Sequence, residues 1–374
     1  MPLSKIKTNS IADNAVTVKK QSTGTNILYN GEFKIHQRGG VKTSGSNYLL
    51  DRWYTYLDAH GLTYQAEQST DVPSGQDFHH SYKVAATGGT YSTDNNYVMI
   101  RQNIETQDVR HLQYGTSTAR KTTLSFWVKT PRTGNITANF MHYGGGTQRQ
   151  CSIQFAVTAA NTWQRMVGTL PADTSVAFGS ADNDKAFYFD IIFNIANNWS
   201  DGTTLNTSWN NNVSGDRGVG QTNMIQANGE ACYITGIQLE IGEVDDPVFH
   251  FRTDAEELER CQRYYIQYVP EGTYTTYGIG FVTGSTTAEI FFPFPTTMRG
   301  EPGLNNSTPL GDFRIYEAGT RTVTGMTVQN YSNNKMGLAS VTCSGGGMTT
   351  GRACKLQDNG NKANNYIGWS AEIT

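Results

Sequence analysis

Residues 233–265 read YITGIQLEIGEVDDPVFHFRTDAEELERCQRYY, and the pattern changes period once along them. Over 233–241, Tyr233, Thr235, Ile237, Leu239 and Ile241 alternate with Gln238 and Glu240, the signature of a half-buried strand. Gly242 and the run Asp245-Asp246-Pro247 stop it, because Pro247 has no N–H to give a ladder. A helix start follows. Thr253 precedes Glu256 at the spacing of a capping box. Asp254, Glu256 and Glu257 load the first turn and Arg260 and Arg263 the last, the order a helix dipole favours. Leu258, Cys261 and Tyr265 share a face, so a buried connecting helix is expected over 254–265, between two β regions.

Upstream, residues 26–250 read as one all-β domain. Leu124, Phe126 and Val128 alternate with Ser125 and Lys129, and Ile153, Phe155 and Val157 with Ser152 and Gln154. In 187–195, Phe187, Phe189, Ile191, Phe193 and Ile195 face one way, against Tyr188, Asp190 and Asn194. Short strands separated by Gly/Asn/Asp turns, with no helical period between them, predict a jelly-roll β-sandwich. Downstream, Tyr277, Ile279 and Phe281 alternate, as do Ile290 and Phe292 against Glu289 and Phe291. Phe313 and Ile315 do so against Arg314 and Tyr316. With Pro293, Pro295, Pro302 and Pro309 between them, these predict a smaller C-terminal β-sandwich knob over 266–374. The expected division is a segment 1–25, a sandwich 26–250, a connecting helix 251–265 and the knob.

Composition agrees. Of 374 residues only 16% are charged, while 39 are Gly and 20 Tyr, a balance that favours strands and turns. A net charge of -3 gives no electrostatic case for nucleic acid. No apolar run approaches the roughly 18–20 residues that span a bilayer. MPLSKIKTNSIADN has no apolar leader core, so export by a signal peptide is not expected. Five cysteines without a CxxC pair argue against a disulfide scaffold or a zinc knuckle, although Cys343 and Cys354 flank a glycine run and can meet across a hairpin. GxSxG, P-loop, HExxH and dinucleotide motifs are absent, His79 and His80 point to opposite faces of any strand, and no coil-length repeat occurs. No catalytic residue and no cofactor is therefore assigned, and the chain is expected not to be an enzyme.

Several pieces carry a family resemblance in order: NILYNGEFKIHQRG (26–39), DRW (51–53), LSFWVKTPRTG (124–134), TWQRMVGTLPAD (162–173), TGIQLEIG (235–242) with LERCQRYY (258–265), and FPTTMRGEP (294–302). Together they resemble bacteriophage tail-fibre and appendage proteins, whose jelly roll is similar to carbohydrate-binding modules. The resemblance implies a virion protein, homotrimeric, assembled in the host cytoplasm and mounted on a tail adaptor or nozzle protein. Residues 1–25, with Lys5, Ile6, Ile11 and Val16, are too thin in apolar side chains to bury a core. They read either as a tail without fixed structure or, as the resemblance favours, as the attachment segment. Two further readings stand beside the tail fibre: a head-fibre or capsid decoration protein without a receptor role, and the carbohydrate-binding module of a separate enzyme.

Candidate binding residues follow from chemistry. Trp199 and Trp209 lie in the polar run 194–223, where an indole either stacks on a sugar ring among amides or folds back to close the sandwich. Asp182, Asp184, Asp201 and Asp216 offer oxygen ligands for a structural Ca²⁺, without the spacing of a known calcium loop. If the N-terminus holds the virion, residues 266–374 form the far tip. There Tyr274, Tyr277, Tyr331, Asn333 and Asn334 mix aromatic planes with amides suited to a host surface glycan or an outer-membrane protein.

Overall fold

Residues Ala231–Ile241 do form a strand, but its two halves bury opposite parities. Cys232 and Ile234 enter the core before Gly236, and Ile237 and Leu239 after it. Gly236 takes φ 62°, the left-handed region that glycine enters freely, and the pairing with Thr122–Lys129 slips between Thr235 and Gln238. This is a β-bulge, whose extra residue reverses the face taken by every later side chain. Tyr233 therefore leaves the expected buried face. Its ring packs on Trp163 at 6.3 Å, with Lys129 Nζ 4.4 Å from its centroid.

The computed structural model describes residues 25–57, 61–93, 97–144, 146–360 and 364–373. Lys5, Ile6, Ile11 and Val16 fall outside them. The chain divides into two units at Thr253/Asp254. In the first, strands β1 (Gly45–Tyr48), β2 (Tyr54–Leu57), β5 (Tyr97–Glu105), β7 (Gly134–Gly144), β8 (Thr147–Val157), β10 (Lys185–Ile195) and β11 (Asn210–Asn211) make one sheet, in the order β1-β2-β5-β10-β7-β8-β11. Strands β3 (Leu62–Ser69), β4 (Ser81–Gly89), β6 (Thr122–Lys129), β9 (Gln164–Leu170) and β12 (Ala231–Ile241) make the other, ordered β3-β4-β12-β6-β9. Every pairing is antiparallel, and the chain crosses repeatedly between the sheets, as a jelly-roll sandwich requires. Their facing sides share one core containing Trp53, Phe126, Phe140, Phe189 and Leu239.

The motif pieces 26–39 and 51–53 interlock inside this unit. Asn26 donates to the Ile237 carbonyl (2.8 Å) and accepts from the Leu239 amide (3.0 Å), tying the segment ahead of β1 to β12. Asn30 donates to the carbonyls of Ile35 and Asp51, while the buried Trp53 indole donates to the Asn30 carbonyl (2.9 Å). These amides satisfy loop backbone that would otherwise be buried unpaired. A second bulge breaks the run 187–195. Pairing of β10 with β5 shifts between Ile192 and Asn194, so Asn194 turns inward to bond Ile225 and Ile195 turns outward.

In the second unit a helix, Asp254–Gln262, is shorter than the expected 254–265. Tyr265, expected on its buried face, is instead the first residue of β13 (Tyr265–Tyr268). Cys261 is buried and Leu258 half-buried. Strand β14 (Thr276–Gly284), β15 (Thr287–Pro293), β17 (Phe313–Tyr316), β18 (Thr320–Val328), β19 (Met336–Cys343) and β20 (Ala353–Asp358) close into a six-stranded barrel. The knob is thus a barrel and not a sandwich. Beside it β13, β21 (Ile367–Ser370) and β16 (Gly303–Asn306) form a three-stranded sheet. A register shift between Thr276 and Gly278 again splits an alternation: Tyr277 is buried, whereas Ile279 and Phe281 face solvent. All five cysteines are free and buried, so Cys343 and Cys354 form no bridge, and burial pushes both thiols up to about 11.

Gly236→Ala should destabilise the first unit more than Gly229→Ala, as read by urea unfolding. Both residues have positive φ, which costs an alanine roughly 1–2 kcal/mol. Only at Gly236 would the added Cβ also meet a ring, 2.5 Å from Phe78 Cζ, whereas Gly229 faces open space. Equal losses would contradict the bulge geometry.

Candidate functional site

The outer face of the seven-stranded sheet carries a polar and aromatic surface that the core does not need. β5 and β10 pair with Ile100 opposite Ile191 and Arg101 opposite Asp190. The isoleucines enter the core, so Arg101, Tyr188 and Asp190 must emerge on the other side. β2 adds Tyr54 and Tyr56, β5 adds Tyr97 and Met99, and β7 places Asn139 opposite Asp190. Met99, Ile192 and Ile195 form a small apolar cluster here, with Tyr56, Tyr97 and Trp199 packed on it.

One wall comes from the segment after β10. Gly218 N–H donates to the Trp199 carbonyl (3.0 Å), and Gln154 Nε2 to the Val219 carbonyl (3.0 Å). Asn139 Nδ2 donates to Ser152 Oγ (2.8 Å), which donates to the Arg217 carbonyl (3.1 Å), fastening the wall to the floor. The resulting cleft of about 150 Å³ has Tyr97, Arg101, Asn139, Asp190, Trp199 and Arg217 among its lining, with Tyr56 behind Arg101. That is smaller than the roughly 300–1,000 Å³ that encloses a drug-sized ligand, so it suits one ring of a longer chain.

Its electrostatics are set by one fork. Arg101 Nε and Nη2 donate to Asp190 at 2.6 and 2.9 Å, and Nη1 donates to the Tyr56 hydroxyl at 3.0 Å. The guanidinium carbon lies 3.6 Å from the Tyr188 ring centroid and 5.0 Å from that of Tyr56. Burial works against the Arg101 charge, but Asp190 more than offsets it and holds the guanidinium protonated. Burial likewise pushes the Tyr56 and Tyr188 hydroxyls well above their ordinary range, so both stay neutral donors. Rings continue along the wall, from Tyr54 to Tyr56 (4.7 Å), to Tyr97 (5.2 Å) and to Trp199 (5.9 Å), where Arg217 sits 4.2 Å above the indole. Two buried polar atoms are left over: Asn139 Oδ1 accepts no hydrogen bond and Arg217 Nε donates none. Such atoms cost about 1–3 kcal/mol each when unsatisfied.

Of the residues singled out by sequence, Trp199 alone lines this cleft. Trp209 belongs to the core, its indole donating to the Pro171 carbonyl at 2.7 Å, so it offers no stacking face. Tyr277 is also a core ring, packed 5.6 Å from Phe313. Tyr274 lies under the Arg314 guanidinium at 3.7 Å, and Tyr331 is 77% exposed. Asn333 is spent on its own turn, where Oδ1 accepts from the Lys335 and Met336 amides, and the Asn334 carbonyl accepts from the Met298 amide. Tyr274 and Tyr331–Asn334 thus stand on separate connections of the barrel. Asp182 pairs with Arg110, and among the described residues no group of three His, Cys, Asp or Glu side chains could hold a metal. Tyr56, Tyr97 and Arg101 escaped the sequence reading. Their signal was the outward assignment of Tyr188 and Asp190, since an aromatic and a carboxylate on a central strand demand partners on the next. The barrel also bears an apolar groove of about 500 Å³ between Ile279, Phe281, Phe291 and Tyr316.

No family model matches the chain, and no curated protein matches it. Solved structures show distant similarity over a little more than half of it. The enzymatically active domain of bacteriophage CBA120 tailspike protein 4 aligns with 58% of this chain at 14% identity and TM-score 0.30, and the match spans 21% of that chain. The CBM22-1 xylan-binding domain of Paenibacillus barcinonensis Xyn10C aligns with 59% of this chain and 97% of its own, at 10% identity and TM-score 0.30. For a family 11 carbohydrate-binding module of Clostridium thermocellum the values are 55%, 98%, 11% and 0.27. Similarity at this level leaves function to be argued from the cleft itself.

Arg101→Met should cost the first unit about 3–5 kcal/mol in denaturant unfolding, because it strands a carboxylate whose side chain is only 3% exposed. Replacing Asp190 by Leu in the same chain should restore most of that loss. A loss for Arg101→Met alone below about 1 kcal/mol would mean that the pair is solvated.

Proposed function

We propose that this chain is a glycan-recognising component of a bacteriophage virion, of tail-fibre type, and that it reads its saccharide on the outer face of the seven-stranded sheet. The observation that carries the glycan reading is the cleft: aromatic walls, a buried ionic floor, and the Asn139 amide among its lining. A pyranose offers apolar C–H faces to rings and hydroxyls to such an amide. Binding without turnover is the better reading, because glycoside hydrolysis needs two carboxyl groups at roughly 5–10 Å. Among the described residues Asp190 is the one carboxylate lining the cleft, and Arg101 occupies both its oxygens.

The virion assignment rests on the ordered sequence pieces over 26–302, and with it go a homotrimer and an attachment role for residues 1–25. Weak single sites would then act through copy number, since linked sites raise avidity by about 10²–10⁴. Placing host recognition on the first unit departs from the sequence expectation, which put it on the barrel loops.

Light scattering of the purified chain at micromolar concentration should give three times the monomer mass; a stable monomer would sink the trimer. In calorimetry against polysaccharide from host cells, Tyr56→Ala and Trp199→Ala should each weaken binding about tenfold or more, the equivalent of at least 1.4 kcal/mol. Tyr331→Ala and Asn333→Ala should leave it unchanged. Loss confined to the latter pair would return recognition to the barrel, and particles carrying the protein on the shell instead of the tail would favour the decoration reading.

A further inference from the structure

The cleft also specifies which class of saccharide it takes. Among the described residues three charged groups line it, Arg101, Asp190 and Arg217. The first two neutralise each other through a bidentate fork. Arg217 has no carboxylate partner among the described residues. Its ion-pairing edge is nearly idle, with Nε unbonded and Nη2 reaching only the Asn212 side chain at 3.4 Å. The neighbouring Asp216 does not compensate it, since that carboxylate points at Gly202. Arg217 is nevertheless held in place, resting on the Trp199 indole at 4.2 Å, with its carbonyl bound by Ser152. The guanidinium is thus preorganised and carries no carboxylate, whereas the Arg101 guanidinium is spent on Asp190.

From this, and resting on the glycan reading above, we infer that the ligand is a uronic-acid-containing polysaccharide whose carboxylate binds the Arg217 guanidinium. Such a sugar meets each unmet requirement at once. Its carboxylate accepts from the Arg217 guanidinium. Its C–H face lies against the apolar wall of Tyr97, Ile192 and Ile195. A neutral sugar would leave the Arg217 guanidinium without an anion, and dextran sulfate in the test below separates a carboxylate from another polymer anion, since a guanidinium grips either.

The test uses the full chain and affinity electrophoresis in gels containing polygalacturonate, the same polymer after carboxyl reduction, or dextran sulfate. Wild-type protein should bind polygalacturonate about tenfold or more tightly than the reduced polymer, as expected for a charge-assisted bidentate contact. Arg217→Gln should bind both polymers equally and weakly, and Arg217→Lys should recover only part of the difference. Raising NaCl should weaken the wild type and not Arg217→Gln. Melting curves of both variants check that the wall stays folded. The proposal fails if the reduced polymer binds as tightly as polygalacturonate, if Arg217→Gln binds polygalacturonate like the wild type, or if dextran sulfate binds best. Equal binding of charged and reduced polymers that is lost in Trp199→Ala would sink the uronate inference while leaving the glycan reading intact. Failure to bind any saccharide, host polysaccharide included, would sink both.

Discussion

The register between β5 and β10 is the constraint from which the rest of the first unit follows. With Ile100 opposite Ile191, the inner face is filled by side chains that only a core can use. The same register sets Arg101 beside Asp190 on the outer face and brings Tyr56 and Tyr188 over the guanidinium. A one-residue slip of β10 would turn Asp190 into the core and put Phe189 and Ile191 on the outer face, so the core enforces the register. The outer face inherits that precision at no further cost. Its polar groups need no packing of their own to be held in place, which is what a preorganised binding surface requires.

Fold class was legible because alternation is a local property. Fully buried Ile290 and Phe292, and Phe313 with Ile315, sit where their spacing puts them. What the sequence hid is parity. At Gly236, at Phe193 and between Thr276 and Gly278, one extra residue reverses the faces, and nothing in an alternating run announces it except, at two of the three, a glycine. Tyr233, Ile195, Ile279 and Phe281 were all misplaced for that one reason. The knob's closure was hidden too, since β20 pairs with both β14 and β17, and such long-range pairing leaves no mark on local spacing. Closure leaves the barrel strands with no free edge to cover.

The site was half legible. Trp199 was selected for its setting in a polar run, and Trp209 for the same reason, yet one lines a cleft and the other closes the core. Composition cannot separate two such indoles; their partners do, a backbone carbonyl for Trp209 and a ring and a guanidinium for Trp199. Arg101 and Tyr56 come from strands far apart in sequence and meet Asp190 only through sheet order. The barrel candidates sit where their turn chemistry places them. Asn333 and Asn334 are turn residues whose polar atoms or carbonyls are already engaged, and an amide that builds its own turn has little left for a ligand.

The central claim is positional: a sugar sits on the outer face of the seven-stranded sheet, between the Trp199 wall and the Arg101–Asp190 floor. A crystal structure of the full chain soaked with oligogalacturonate addresses it most directly. The account predicts a pyranose ring in the cleft, against Tyr97 and Trp199, with a carboxylate on Arg217. Sugar bound at the turn around Tyr331 or elsewhere on the barrel, with the cleft holding only water, would contradict it.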